Sequence, residues 1–155
     1  MQSSSRQASQ TKRPRHEPET PSQHEDFSCR PTHPTPVKVV HEPADGEPRT
    51  IATQVDVADG IVSQGLGLMF RRSIPDHYAL VFPFSRAGKR GLHMLCVPFD
   101  IDAVWLVDGE VEQVKRLSAW TGRGRARADT VIELPAGTAE GVEPGDTVRT
   151  EGLDG

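Results

Sequence analysis

An aspartate inside an apolar segment is the side chain whose type and position most suggest chemistry. The segment Gly91–Val107 (GLHMLCVPFDIDAVWLV) is the longest nearly uncharged apolar stretch of the chain, and Asp102 lies within it. A carboxylate in apolar surroundings must find a partner or shift its pKa. Asp108 and Gly109 follow as the strongest short hairpin signal in the chain. We therefore expect Asp102 to lie on a strand and to meet a partner across a hairpin.

The strand after this turn offers Asp102 a cation in either of two registers. A regular two-residue turn sets Asp102 opposite Lys115. The apolar residues of the second strand do not alternate, however, and a bulge near 112–113 would restore one apolar face. That bulge would set Arg116 opposite Asp102 instead. The sequence leaves both registers open.

The 155-residue chain has two compositional regimes. Residues 1–36 are rich in Ser, Gln, Thr, Pro, His and charge, and Phe27 is their only aromatic residue. Such a segment cannot bury enough apolar surface to offset the entropy of ordering, so we predict a disordered polar tail. Residues 37–152 are predicted to form one domain. Deleting residues 1–35 should leave the thermal midpoint nearly unchanged.

Short strands separated by turn residues dominate the predicted domain. The strands are expected near 37–40, 50–55, 79–82, 90–97, 102–107, 110–117, 130–134 and 147–150. Short helical segments are expected near 57–66 and 138–142, and exposed basic loops over 85–90 and 118–128. This pattern predicts a mainly β fold: a compact, mostly antiparallel barrel or jelly-roll-like sandwich with one or two short helices.

The rest of the composition narrows the class of protein. Cys29 and Cys96 have no CxxC or His-Cys spacing, which favours free thiols in a reducing cytoplasm and gives no zinc site. No segment has the ~18 apolar residues that span a bilayer, and the N-terminus has no apolar signal region. We expect a cytoplasmic protein with no membrane contact, metal or cofactor. Arg outnumbers Lys 14 to 4, as in GC-rich genomes or salt-adapted, haloarchaeal proteins.

Four motifs occur in an order and spacing that resemble a known family. They are Gly67-Leu68-Met69-Phe70-Arg71, Met94 with Asp102 eight residues later, Glu133-Leu134-Pro135-Ala136-Gly137, and Gly145-Asp146. Over about residues 37–150 the sequence resembles the domain-of-unknown-function family 192, a group of small prokaryotic β domains. The resemblance implies a jelly-roll-like sandwich or barrel, and it implies no reaction. It marks as structural motif positions Gly67, Leu68, Met69, Gly137, Gly145 and Asp146.

The resemblance also selects the candidate ligand site. Arg71, Asp102 and Glu133 stand at motif positions with Met94, and together they could form a polar site at one rim of the domain. Arg71 would orient an anionic group, and a carboxylate would bind a hydroxyl or amine. Many relatives carry Met-Lys-Asn-Thr where this chain has Met94 followed by Leu-Cys-Val, so a site built on those polar residues is absent. The structural interpretation, a partly buried ion-pair network, is favoured over the ligand site.

Three functions remain open at the level of sequence. The first is an uncharacterised, non-enzymatic binding or interaction module for an unknown small ligand or protein partner. The second is a hydrolase or lyase that uses Asp102 and Glu133 as acid and base, although no nucleophile–base pair supports an enzyme. The third is a weakly RNA-associated protein that uses Lys12–Arg15 and Arg123–Arg127. From Val37 onward 13 Lys/Arg stand against 18 Asp/Glu, a net charge of -5, which disfavours nucleic acid.

Overall fold

The computed structural model describes residues 36–58 and 67–152. The predicted tail lies outside the described residues, as does most of the predicted helix near 57–66. Val57, the first residue of that predicted helix, instead ends a strand.

The described residues form a mainly β domain with one mostly antiparallel sheet of eight strands, as the sequence predicted. The sheet order is β2-β1-β8-β6-β5-β7-β4-β3, and only the edge pair β3–β4 is parallel. The strands are β1 (Lys38–Glu42), β2 (Arg49–Ala52), β3 (Gln54–Val57), β4 (Tyr78–His93), β5 (Ile101–Val107), β6 (Glu110–Leu117), β7 (Arg123–Pro135) and β8 (Thr147–Glu151).

The sheet curls so that its two edges approach each other. β2 and β3 form opposite edges, yet only Thr53 separates them in the chain. The backbone N–H groups of Thr53 and Gln54 both donate to the carbonyl of His77, at 2.9 and 3.1 Å, and so hold this junction to the start of β4. The result is an open barrel whose edge strands are not paired with each other in the described part of the chain.

Both faces of the central strands are buried, which explains why β5 is apolar almost throughout. Val104 and Leu106 belong to a core cluster on the concave face, together with residues of β1, β2, β4, β7 and β8. Ile101, Ala103 and Trp105 belong to a second cluster on the opposite face. Alternate residues of one strand therefore enter two different cores, as the period of two requires.

No helix occurs among the described residues, so the predicted helix near 138–142 is wrong. Residues 136–142 form successive turns in which the N–H groups of Thr138, Glu140 and Val142 each bond the carbonyl three residues back, as from Thr138 to Pro135 at 3.0 Å. Gly137 and Gly141 have φ of +95° and +77°, in the left-handed region. A helix cannot continue through such residues.

The two predicted basic loops are also wrong over most of their length. Residues 85–90 belong to β4, and residues 123–128 belong to β7. After a register shift between Pro83 and Gly88 the two segments pair as a ribbon, with Lys89 opposite Arg127. In both segments exposed residues alternate with residues that pack inward, such as Leu92, as in a strand. The high content of charged residues had indicated loops instead.

Candidate functional site

Asp102 on β5 is buried, and its carboxylate is well supplied with hydrogen-bond donors. Arg116 on β6 donates through Nε to Oδ1 at 2.8 Å and through Nη2 to Oδ2 at 3.2 Å. The backbone N–H groups of Gly137 and Ala139 donate to Oδ2 at 2.7 and 3.1 Å. These bonds compensate the carboxylate for its loss of water. They also tie the 136–142 turns to the sheet.

The bulged register of the β5–β6 hairpin is the one that occurs. Asp102 pairs with Arg116, and the ladder skips Glu112, which is the extra residue of the bulge. Asp108 and Gly109 have φ of +52° and +84°, which is the type I′ turn expected of this dipeptide. The bulge thus selects Arg116 rather than Lys115 as the cation opposite the carboxylate.

Glu133 on β7 lies close to Asp102 along the sheet but on its opposite face. Its partner across the ladder is Ala103, whereas Asp102 is opposite Leu134. Leu134 belongs to the concave core and Ala103 to the other core. Glu133 is buried, and its Oε2 has no hydrogen-bond partner among the described residues. An orphaned buried oxygen is rare in native proteins and demands an explanation.

A cavity of about 60 Å³ opens beside the Glu133 carboxyl. That volume has room for several water-sized groups, since one water needs roughly 10–15 Å³ of such space. Gly67 has a φ of +47°, and a Cβ there would lie 3.7 and 3.8 Å from the two carboxyl oxygens. The cavity surface is about as polar as it is apolar. Besides Glu133, the lining residues are Gly67, Leu68, Met69, Phe82, Gly91, Leu92, His93, Met94, Val97 and Ile101.

Burial sets the protonation of the Glu133 carboxyl. The loss of water raises its pKa to about 7, and the charge of Arg71 opposes this rise. A carboxyl with that pKa exists near neutral pH as a mixture of acid and anion. It can therefore donate or accept a hydrogen bond in the cavity, depending on what binds.

Arg71 influences Glu133 from a distance and is engaged elsewhere. Its Nη2 lies 3.6 Å from Oδ2 of Asp56, and its guanidinium carbon lies 5.3 Å from the centroid of the Tyr78 ring. The Tyr78 hydroxyl donates to the same Asp56 oxygen at 2.8 Å. Burial and this bond raise the pKa of Tyr78. Arg71 thus lies beside Asp56 of β3 and Tyr78 of β4, and its side chain is about half exposed.

Met94 joins Glu133 at the cavity because the chain leaves the sheet there. The strand predicted over 90–97 ends at His93, and Cys96 has a φ of +60°, which an extended strand does not allow. The Met94 N–H donates to the carbonyl of Gly122 at 2.9 Å, and its side chain is buried. His93 is exposed at the edge of the cavity.

The predicted site residues thus separate into two environments. Glu133 and Met94 share the cavity, Arg71 acts on Glu133 through its charge, and Asp102 lies on the other face with Arg116. The expected convergence of all four residues does not occur. An acid–base pair made of Asp102 and Glu133 is not possible across the sheet, because successive side chains of a strand point to opposite faces.

The motif glycines position both environments. Gly137 supplies a donor to Asp102, Gly67 borders the Glu133 cavity, and the N–H of Gly145 donates to the carbonyl of Val111 at 2.9 Å. Leu68 is buried and Met69 packs against the same core, whereas Phe70 is 73% exposed with φ +66°.

A buried pair of Asp146 and His41 was missed by sequence reasoning. His41 Nε2 lies 2.7 Å from Oδ2 of Asp146, and the N–H groups of Glu143 and Ala44 donate to the same carboxylate at 2.9 and 3.0 Å. The Glu143 N–H, with His41, holds the pKa of Asp146 below its ordinary value. The pair joins β1 to the turn before β8, and we interpret its role as structural. Only the Gly-Asp motif could have signalled it.

Within 36–58 and 67–152 no three His, Cys, Asp or Glu side chains cluster as metal ligands would. No helix of this part of the chain is long and apolar enough to cross a membrane.

Similarity to known proteins agrees with the fold. Residues 39–150 match the family described as DUF192, Uncharacterized ACR. The UPF0127 protein PH1112 of Pyrococcus horikoshii is 32% identical over an alignment of 102 residues, which covers 62% of this chain and 86% of that protein.

Two crystal structures share the architecture. One, described as a proposed transcription regulator from Sinorhizobium meliloti, has a TM-score of 0.66 at 25% identity and covers 76% of this chain and 95% of its own. The other, a protein of unknown function from Novosphingobium aromaticivorans, has a TM-score of 0.63 at 22% identity, over 72% and 83% of the two chains. The family match, the curated relative and the shared motifs together show that this chain belongs to the uncharacterised DUF192 family.

Proposed function

We propose that this protein is a binding module for a small, neutral ligand that enters the cavity beside Glu133. One observation carries the proposal: the buried Oε2 of Glu133 lacks a partner among the described residues, and Glu133 lines a cavity. An unpaired buried polar group costs roughly 1–3 kcal/mol. A ligand that supplied the missing hydrogen bond would recover that energy on binding.

The surroundings of Glu133 define the ligand chemistry. Apart from Glu133 and His93 the lining side chains are apolar, so a short aliphatic group suits the rest of the cavity. The charge of Arg71, which already acts on Glu133, disfavours a second cation. A hydroxyl on a short aliphatic stem meets both conditions, because it hydrogen-bonds the carboxyl in either protonation state.

The same geometry favours binding over catalysis. Glu133 is the only carboxylate that lines the cavity in the described part of the chain, and neither Ser nor Cys lines it there. Acid–base catalysis by paired carboxylates needs a second such group within roughly 5–9.5 Å. Asp102 does not supply it, because its carboxylate is held on the other face by Arg116.

Methionine methyl groups give a direct readout of ligand entry. The chain has three methionines, and Met69 and Met94 both line the cavity. We would label the methionine methyls with ¹³C and titrate the full chain with propan-1-ol, propan-1-ammonium and propionate. The proposal predicts saturable shifts of these two signals with the alcohol, and weaker effects of both ions.

Two variants separate the carboxyl from the rest of the pocket. Glu133→Leu keeps the volume but removes the acceptors, so the alcohol shifts should become weaker and non-saturable. Asp102→Asn alters a carboxylate on the other face and should leave the shifts as they are. Equal saturable shifts in Glu133→Leu, or none in the wild-type protein, would contradict the proposal.

A further inference from the structure

A second surface, independent of the Glu133 cavity, carries concentrated positive charge. It is the outward face of the ribbon formed by the distal halves of β4 and β7, which we call the basic ribbon. Its side chains alternate with inward ones and are exposed. The basic ribbon consists of Lys89, His93, Arg123, Arg125 and Arg127.

These charges are poorly neutralised by the protein itself. Lys89 lies directly opposite Arg127 in the ladder, an arrangement of like charges that destabilises a sheet. The only ion pair within the described residues that involves the ribbon joins Arg127 to Glu112 at 4.0 Å, with both side chains well exposed. Exposed pairs of that kind contribute little. The ribbon therefore keeps a positive surface at some cost to its own pairing.

A groove runs beside this face. It has a volume of about 680 Å³, and its lining joins the ribbon to the outward residues of β6, Gln113 and Lys115. Lys115 is held there, since its ammonium donates to the carbonyl of Arg123 at 2.8 Å. Gly91, which faces outward opposite Arg125, adds no side chain to the groove. A chain of anionic groups can thus reach cations on both walls.

An exposed tryptophan stands at one end of the ribbon. Trp120 is 59% exposed and lines a depression of about 350 Å³ together with His93 and Arg123. Its φ of +64° is unusual for a bulky residue, and the bond from its N–H to the carbonyl of Val97 at 2.9 Å holds it. Strained, exposed residues of this kind gather at functional sites.

We propose that the basic ribbon and Trp120 bind single-stranded nucleic acid. Cations along a strand would track the phosphates, and the indole would stack on a base, which is the usual combination for this class of ligand. The net charge of -5 from Val37 onward, which disfavoured nucleic acid at the level of sequence, averages over the domain. It does not describe this face, because Lys89, Arg125 and Arg127 are collected there by the pairing of β4 with β7.

Tryptophan fluorescence tests the proposal on the full chain. The chain has two tryptophans, of which Trp105 is fully buried and Trp120 is exposed, so quenching by a base reports on Trp120. Oligo-dT of about 15 nucleotides at low salt should quench the emission saturably, with affinity that falls as salt rises. Heparin, a polyanion without bases, should compete with the oligonucleotide but cause no quenching.

Matched substitutions complete the test. The triple variant R123T/R125T/R127T should lower the slope of log affinity against log salt by about 2, since each lost phosphate contact on a single strand contributes roughly 0.7. Arg149→Thr on β8 removes an arginine outside the ribbon and should leave this slope unchanged. Thermal melts would check that every variant is folded.

Three results would overturn the proposal. The first is the absence of oligo-dT binding by the wild-type chain at low salt. The second is an unchanged salt slope in the folded triple variant. The third is tighter binding of poly-glutamate than of oligo-dT, which would assign the face to an acidic protein partner.

Discussion

Asp102 and Glu133 are two buried carboxyls on neighbouring strands, and their surroundings are opposite. Asp102 accepts hydrogen bonds from Arg116, Gly137 and Ala139. Glu133 has a buried oxygen with no partner in the described part of the chain and borders a cavity. The difference shows that burial alone does not identify a ligand site. A carboxyl whose donors come from its own chain is structural, whereas one left without donors is available to a ligand.

The largest effect should follow from removing the well-partnered carboxyl. Asp102→Ala leaves the N–H groups of Gly137 and Ala139 without their acceptor and releases Arg116. We expect the free energy of unfolding to fall by about 4 kcal/mol, because each orphaned buried group and the broken pair add to the loss. Urea denaturation followed by tryptophan fluorescence would measure it.

Two further variants locate the source of that loss. Asp102→Asn keeps an oxygen that can accept from the backbone, so its free energy of unfolding should fall less than that of Asp102→Ala. Arg116→Ala should lower the free energy of unfolding least, since that side chain is 55% exposed and water can replace it. If Arg116→Ala were as damaging as Asp102→Ala, the ion pair rather than the backbone donors would hold the 136–142 turns.

Glu133 should behave in the opposite way. Its pKa of about 7 lies above the ordinary value of 4.5, so the folded chain binds more protons than the unfolded chain between these pH values. The free energy of unfolding therefore falls as the pH rises from about 4.5 to about 7, and it levels off above that. Glu133→Gln removes this loss. It should stabilise the protein by about 3 kcal/mol at pH 8 and change little at pH 4.

Denaturation of the wild-type chain and of Glu133→Gln at pH 4, 6 and 8 gives the comparison. The two stability curves should diverge as the pH rises. Parallel curves would show that Glu133 ionises at its ordinary pKa and finds a partner on ionisation.

The smallest effect should come from Arg71. Its charge lowers the pKa of Glu133, so Arg71→Met should raise that pKa above about 7 and slightly lower stability at pH 8. The loss of stability should be small, because the contact with Asp56 is long and both side chains are well exposed. A fall in the pKa of Glu133 in this variant would contradict the assignment of Arg71 as its cationic neighbour.

The sequence predicted the fold class and one of these two carboxyl environments. Asp102 stood in an apolar strand beside an Asp-Gly turn, and the sequence left both Lys115 and Arg116 open as its cation. The bulge that would restore one apolar face of β6 is the one that occurs, and it gives Arg116. Local patterns of this kind decide strand register. The backbone donors of Gly137 and Ala139 come from distant turns, and no local pattern predicts them.

Local sequence patterns could not predict the basic ribbon or the Glu133 cavity. The charge over 85–90 and 123–128 led to a prediction of loops. Both segments form strands because they pair with each other and pack on distant residues, such as Trp105 on β5, whose indole donates to the Arg90 carbonyl at 3.0 Å. Glu133 was singled out by resemblance, but its face of the sheet depends on pairing with β5. Grouping Asp102 with Glu133 failed for that reason.

Whether Glu133 is open to a ligand is decided by its pKa, measured by ¹³C NMR of its side-chain carboxyl with Glu133→Gln as the assignment control. We expect a titration near pH 7 in the ligand-free protein, since burial without a donor is what raises this pKa. We also expect a neutral alcohol that binds the cavity to perturb that titration. A midpoint near 4.5, insensitive to the alcohol, would mean that the carboxyl is solvated or already partnered, and it would contradict the proposed ligand site.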